Sequence, residues 1–237
     1  MTVPFSKGRY SVRLADGPED VLAAQQLRHR CFYDCDGVDD DGYDAGRVHI
    51  LVFDGKGLVG TCRVGLFPDA ADILQSYAAE RYDLTRLARY ATGAMELGRV
   101  CVRPDAGEHD ILRLIWGVLA RMVDQNGVGL IFGCASFKGI NAADHAEALS
   151  YLAGRHGAPA RWAPGIASPD TVPLSVTQGS PSRAGLPPLL RSYLAMGGWV
   201  SDHAVIDRDL MTLHVLTVVE VSQIPPRRAA ALRAIID

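Results

Sequence analysis

The run from Met95 to Ala135 places the tightest limit on what this chain can fold into. Met95-Glu96-Leu97-Gly98-Arg99-Val100-Cys101-Val102 reads as a strand and Ile111 to Gln125 as an amphipathic helix. Leu130-Ile131-Phe132-Gly133-Cys134-Ala135 reads as a second, apolar strand, with Gly127 and Gly129 where a helix cap belongs. Upstream, His49 to Phe53 and Leu58 to Val64 flank Asp54-Gly55-Lys56-Gly57, a strong hairpin signal. Strand, helix and strand beside a hairpin require a mixed sheet flanked by helices, an α/β plan.

The rest of the chain extends that plan. Tyr10 to Ala15 alternates like a short strand, and Pro18 opens a helix that runs from Glu19 to Tyr33. Asp34 to Gly46 is an acidic loop, in which Asp39 and Asp40 read as solvated. A helical region is expected over Ile73 to Tyr90 and another over Ala142 to Arg155. Gly157 to Pro188, rich in Pro, Gly and Ser, reads as an irregular insertion. A helix from Leu189 to Met196 and strands at His203 to Ile206 and Thr212 to Val221 come next. The end, Pro226 to Ile236, looks helical and basic on one side. We expect one domain over 1–237 with an irregular insertion at about 157–188 and a C-terminal extension of helix and strands.

Composition removes several classes. The net charge of −3 argues against a nucleic-acid partner. No stretch reaches the ~20 apolar residues of a membrane span. The first residues lack the apolar core of a signal peptide, so a cytoplasmic setting is expected. Cys62, Cys101 and Cys134 lie in apolar strand-like runs, where cysteine is usually a small core residue. The histidines form no metal-binding spacing, so no metal site is expected.

Between Arg28 and Arg99 the chain carries Arg28 with Phe32, Asp41-Gly42-Tyr43-Asp44, Gly60-Thr61-Cys62-Arg63 and Glu96-Leu97-Gly98-Arg99. In order and approximate spacing this resembles the acyl-homoserine lactone synthases, relatives of the GNAT acyltransferases. A longer set of motifs is similar to the hemolysin-like ornithine N-acyltransferases. These are His49 to Val52, Tyr82-Asp83-Leu84, Glu96 to Val102, Phe132 to Phe137 and Leu186 to Leu194. The resemblance implies a GNAT-like mixed central sheet. It also implies transfer of a (3-hydroxy)fatty acyl group from acyl carrier protein to the α-amine of ornithine, the first step of ornithine lipid synthesis. No cofactor is then required beyond the acyl-carrier donor.

The residues suggest roles within that frame. Aminolysis of a thioester needs a group that accepts the amine proton, and Glu96, an acid in an apolar strand, is the candidate base. Arg63 and Arg99 suit a substrate carboxylate, while Asp41 and Asp44 suit a side-chain ammonium or a pairing with Arg28. Arg28 and Ser136 are further substrate-contact candidates, and the backbone N–H groups of Val100, Cys101 and Val102 are candidates for holding an oxyanion. Phe32, Tyr33, Trp116, Phe132 and Phe137 could line an acyl slot or simply fill the core.

GNAT enzymes that take acyl-CoA usually follow this strand with a glycine-rich pyrophosphate loop. Here Val102-Arg103-Pro104-Asp105-Ala106-Gly107-Glu108-His109-Asp110 offers one glycine among acids, which favours a carrier-protein donor. Arg103, Arg113, Arg121 and Lys138 are candidate docking residues for that acidic partner. Arg227, Arg228 and Arg233 could give peripheral contact with the inner membrane face. Two alternatives stand: a lactone synthase using S-adenosylmethionine, and a non-catalytic lipid-binding protein of the same fold.

Overall fold

The computed structural model describes residues 4–176 and 181–236; Met1 to Val3, part of the N-terminal stretch read above, and 177–180 of the insertion lie outside the described residues. Strands β1 (Phe5–Lys7) and β2 (Tyr10–Leu14) precede helix α1 (Pro18–Tyr33) and the hairpin β3 (Val48–Asp54) and β4 (Gly57–Phe67). Helix α2 (Tyr77–Arg81) and the short β5 (Tyr82–Asp83) lead to β6 (Gly93–Val102), α3 (Glu108–Asn126) and β7 (Val128–Lys138). Then come α4 (Ala146–Arg155), β8 (Gly165–Ile166), β9 (Thr171–Pro173) and α5 (Pro188–Ala195). Strands β10 (Trp199–Asp207) and β11 (Thr212–Glu220) and helix α6 (Pro226–Arg233) complete the order.

The chain divides into two compact units, one of residues 1–66, 97–126 and 226–237, the other of 67–96 and 127–225. In the first unit the strands run β1-β2-β3-β4-β6, with β1 to β4 antiparallel in sequence order. Val12 faces Val52 and Ile50 faces Cys62, and all four side chains are fully buried. Helix α3 lies close over this layer, since a Cβ at Gly60 would sit 2.5 Å from Ile111 Cγ2. Gly117 makes the same allowance for Ile235, and Arg233 Nε holds Asp124 Oδ2 at 2.7 Å.

In the second unit the order is β6-β7-β11-β10-β9. Strand β6 pairs with β7 in parallel from Gly93 to Glu96, where Glu96 registers with Phe132. The pairings β7-β11, β11-β10 and β10-β9 are antiparallel, so the sheet is mixed. One face, with Leu130, Phe132, Leu216 and Val218, packs under Phe67, Ile73, Tyr82 and Leu87. The other, with Ala135, Phe137, Leu213 and Val215, packs under Leu149 and Leu152 of α4 and Leu190 and Leu194 of α5.

Two expectations change. The helix expected over Ile73 to Tyr90 is broken: a 3₁₀ turn covers Ala70–Gln75, and Ser76 caps the short α2 by accepting from Ala79 N. Tyr82 then turns into the core, where its hydroxyl donates to His214 O at 2.8 Å, and Asp83 accepts from Thr85 N to make a turn. The insertion also contributes structure, because β9 pairs with β10 and β8 pairs with β5.

Phe132 is completely buried in the first of those packed faces. Phe132→Ala should therefore lower stability by about 3–5 kcal/mol, read by urea denaturation.

Candidate active site

Six charged side chains of the first unit meet in one network. Arg28 projects from α1 with a side chain that is 0% exposed, and it is the innermost member. Its Nη1 and Nη2 reach Asp44 Oδ1 and Oδ2 at 2.8 and 2.7 Å, a two-pronged ion pair. Its Nε lies 2.8 Å from Asp39 Oδ2, an ion-pair contact without hydrogen-bond alignment, and Nη2 donates to the Asp39 carbonyl. Gln25, one helical turn earlier, donates to Asp44 Oδ2 at 2.7 Å. His49 Nε2 stands 3.7 Å from Asp44 Oδ1, and burial lowers the His49 pKa against the pull of that carboxylate.

The loop that brings the acids to Arg28 begins where α1 ends. Asp34 sits at φ 55, in the left-handed region, and its N–H bonds back to Arg30 O. Gly42 and Gly46 take φ 78 and 71, where a side chain would be strained. Between them the loop is stitched by its own aspartates: Asp40 accepts from Gly42 N and Asp41 from Tyr43 N.

Arg63 of β4, almost fully buried, holds both oxygens of Asp41 through Nη1 and Nη2, the latter at 2.9 Å, and reaches Asp44 Oδ1 at 3.1 Å. Arg99 of β6 reaches Asp39 Oδ2 at 3.1 Å and Asp41 Oδ2 at 2.9 Å. Burial would raise the pKa of Asp41 and Asp44, but hydrogen bonds from Arg63 and Arg28 outweigh it and both are lowered. All three arginines thus have carboxylate partners.

This placement revises two expectations. Asp39 is not a solvated loop acid; it is 6% exposed and bridges Arg28 and Arg99, while Asp40 is exposed as expected. Arg28 does not reach solvent, so the structure turns it from a substrate contact into the anchor of the loop. Asp40, Asp41 and Asp44 place carboxylate oxygens within 4.8 Å of one another, and Asp41 and Asp44 already carry arginines.

Strand β6 supplies the other candidates. Arg99 has φ 51, which interrupts the pleat, so the strand read over Met95 to Val102 does not alternate regularly past it. A non-glycine in that region carries strain of order 1 kcal/mol or more. In the second unit Glu96 is 6% exposed, and its Oε1 accepts from Ala78 N at 2.8 Å at the start of α2. Of the oxyanion candidates, Val100 and Val102 are half-buried and Cys101 is buried. Its thiol shares a hydrogen bond with Cys31, and that bond together with burial pushes its pKa up, which suits packing rather than attack. Ser136 is exposed on β7, opposite His214 of β11.

The docking candidates are dispersed. Arg103 is shared between Asp54 at 3.5 Å and Asp105 at 2.5 Å. Arg113 is exposed on α3, Arg121 is half-buried, and Lys138 is exposed at the end of β7 in the second unit. On α6, Arg227 is exposed and Arg228 half-buried, while Arg233 is engaged by Asp124. Among the described residues no helix is long and apolar enough to cross a membrane. Of the aromatic candidates, Trp116, Phe132 and Phe137 are core residues, Phe32 is half-buried and Tyr33 is exposed. Three contributors escaped the sequence reading: Asp39, Gln25 and the Ala78 amide. None left a sequence signal, since Asp39 sits in a run of three aspartates that residue type alone cannot tell apart.

Comparison with known proteins gives both the fold and the family. The Acetyltransferase (GNAT) domain model matches residues 24–117. The apo crystal structure of TofI superposes with a TM-score of 0.52 at 13% identity, covering 94% of this chain and 98% of that one. The N-acyl amino acid synthase FeeM from uncultured soil microbes gives 0.50 at 10% identity, over 91% and 94%. The mixed sheet is therefore that of the GNAT class.

The family is more specific. An L-ornithine N(alpha)-acyltransferase of Brucella abortus (strain 2308) is 30% identical, over 93% of this chain and 87% of its own length. One from Rhizobium meliloti (strain 1021) is 31% identical, over 91% and 81%. The chain belongs to the L-ornithine N(alpha)-acyltransferase family and is an acyltransferase of that type.

Removing the anchor should be costly. Arg28→Met would leave Asp39 and Asp44 without their buried partner, and we expect a loss of about 3–5 kcal/mol by chemical denaturation at neutral pH. The pH dependence has a fixed sign. The lowered pKa of Asp41 and Asp44 gives stability that is present above the ordinary carboxylate pKa of ~3.9 and is lost as pH falls below it. Arg28→Met should flatten that acid limb when denaturation midpoints are compared between pH 6 and pH 3.

Proposed function

We propose that the chain moves a (3-hydroxy)fatty acyl group from acyl carrier protein to the α-amine of ornithine, the opening step of ornithine lipid synthesis. The arginine–aspartate network carries the acceptor half of this reading. It sets Arg63 and Arg99, with side chains 4 and 10% exposed, as forks for the carboxylate of an amino acid. Exposed Asp40 beside Asp41 offers negative charge to a second, side-chain ammonium. An acceptor with one carboxylate and two amines fits both.

In the reaction, the α-amine attacks the thioester carbonyl carbon. The new C–N bond forms, the C–S bond breaks, and the carrier thiol leaves with a proton. Glu96 accepts the proton from the attacking amine, directly or through water. Its bond from the Ala78 amide fixes the carboxylate in one orientation. Backbone N–H groups at Val100 to Val102 hold the oxyanion, next to the left-handed residue Arg99.

The donor half rests on the start of α3. Glu108 and Asp110 occupy its first turn, and Arg103 is already held by Asp54 and Asp105. A nucleotide pyrophosphate would meet acids where the helix end could have bound it. Gly107 is there for a different reason, because a Cβ would come within 2.8 Å of Tyr10 Oη. An acidic carrier protein instead docks on Arg113 and Arg121 of this same helix, an attraction that salt screens. No cofactor takes part, and the exposed Arg227 of α6 favours peripheral contact with anionic lipid where the product is used.

The test is incubation of the protein with 3-hydroxyacyl-carrier protein or the matching acyl-CoA and a panel of amino acids, read by mass spectrometry. N-acylornithine formed at least ~10-fold faster from the carrier-protein donor is expected, a difference of about 1.4 kcal/mol. Absence of any N-acyl amino acid, or a product from S-adenosylmethionine with release of methylthioadenosine, would overturn the reading. Glu96→Gln should lower turnover by roughly 10²–10⁴-fold while its thermal unfolding stays native-like. An unchanged rate would remove Glu96 from the chemistry.

A further inference from the structure

The same forks that suit a substrate carboxylate are occupied by one of the protein's own. We propose that the Asp41 carboxylate is a placeholder: it fills the α-carboxylate site of the acceptor at Arg63 and Arg99, and the incoming amino acid displaces it. This rests on the amino-acid acceptor reading above and extends it to how that site is held before substrate arrives.

Three features single out Asp41. The first is geometry. Asp41 presents both oxygens to the two terminal nitrogens of Arg63, and Oδ2 also meets Arg99 Nη2 at 2.9 Å. That is the arrangement in which a free α-carboxylate would sit across the same two guanidinium groups. The second is access. Its side chain is 15% exposed, against 5% for Asp39 and 7% for Asp44, and its neighbours Asp40 and Gly42 are exposed.

The third feature is what remains after it leaves. Asp39 and Asp44 are tied to fully buried Arg28, so neither can depart without stranding a buried charge. When Asp41 swings out, Arg63 keeps Asp44 at 3.1 Å and Arg99 keeps Asp39 at 3.1 Å. Each arginine still has a partner. The network then changes from three acids against three arginines to two against three, and the acceptor's carboxylate restores the balance. Gly42, with φ 78, directly follows Asp41 and gives the loop a pivot. The displaced carboxylate, beside exposed Asp40, remains near enough in sequence to attract the cationic end of the same substrate.

A tethered carboxylate competes with a free one as an intramolecular ligand. Removing it should therefore tighten carboxylate binding. With ¹³C-acetate as probe, followed by NMR titration, Asp41→Asn and Asp41→Ala should each bind at least ~10-fold more tightly than the wild type. Adding Arg63→Gln to either should abolish the gain. Acetate affinity that is unchanged or weaker in both Asp41 variants, with native-like thermal unfolding, overturns the proposal.

The wild-type chain provides a second test that needs no variant. At saturating acetate, amide hydrogen exchange of Tyr43 should speed up several-fold, because Asp41 no longer accepts from Tyr43 N. Slower or unchanged exchange there would contradict displacement. Because acetate is not an acyl acceptor, these results stand whether or not ornithine is acylated. Failure of N-acylornithine synthesis with both acetate results intact would remove only the acceptor.

Discussion

The Arg28 guanidinium, buried out of reach of water, is the constraint on which the rest of the site depends. A charge in that position is tolerated only if it is paired and hydrogen-bonded on every side. Asp44 grips two of its nitrogens, Asp39 stands at the third and lends its carbonyl, and Gln25 steadies Asp44 from the same helix. Satisfying one arginine thus fixes the path of the loop between α1 and β3. That path delivers Asp41 to Arg63 and Arg99.

The sheet contributes in a second way, through a local departure from regularity. Strand β6 would alternate along its whole length were it not for Arg99 at φ 51. The departure coincides with Arg99 reaching two aspartates at once, and those ion pairs are what offset the backbone strain. Earlier on the same strand Glu96 follows a different logic. It is an acid among apolar neighbours, held by a backbone amide at a helix start, where the helix dipole favours negative charge.

Much of this is legible in the sequence because it follows from residue type and spacing. The two strands around α3, the hairpin at Asp54 to Gly57 and the helix from Pro18 all follow from periodicity and turn residues. Arg28, Asp41, Asp44, Arg63 and Arg99, singled out by motif, do meet in one network. What escapes is set by tertiary geometry. Nothing in the run Val38 to Asp41 distinguishes Asp39, which turns inward, from Asp40, which does not. The helical pattern stops at Tyr82, whose hydroxyl donates to His214 O, a partner 132 residues away that local spacing does not reveal. The left-handed backbone at Arg99 is equally invisible in a stretch of strand-forming residues.

The account's central claim is that the Arg63–Arg99 forks receive the acceptor's α-carboxylate. Its most direct test is to compare L-ornithine with its α-carboxamide as acceptors, using one acyl-carrier-protein donor and reading N-acyl product. The amide keeps both amines and nearly the same size but cannot restore the charge balance of the network. We expect kcat/KM for the amide to fall by on the order of 100-fold or more, because a polar site left unpaired discriminates strongly. Equal kcat/KM for the two acceptors would contradict the claim.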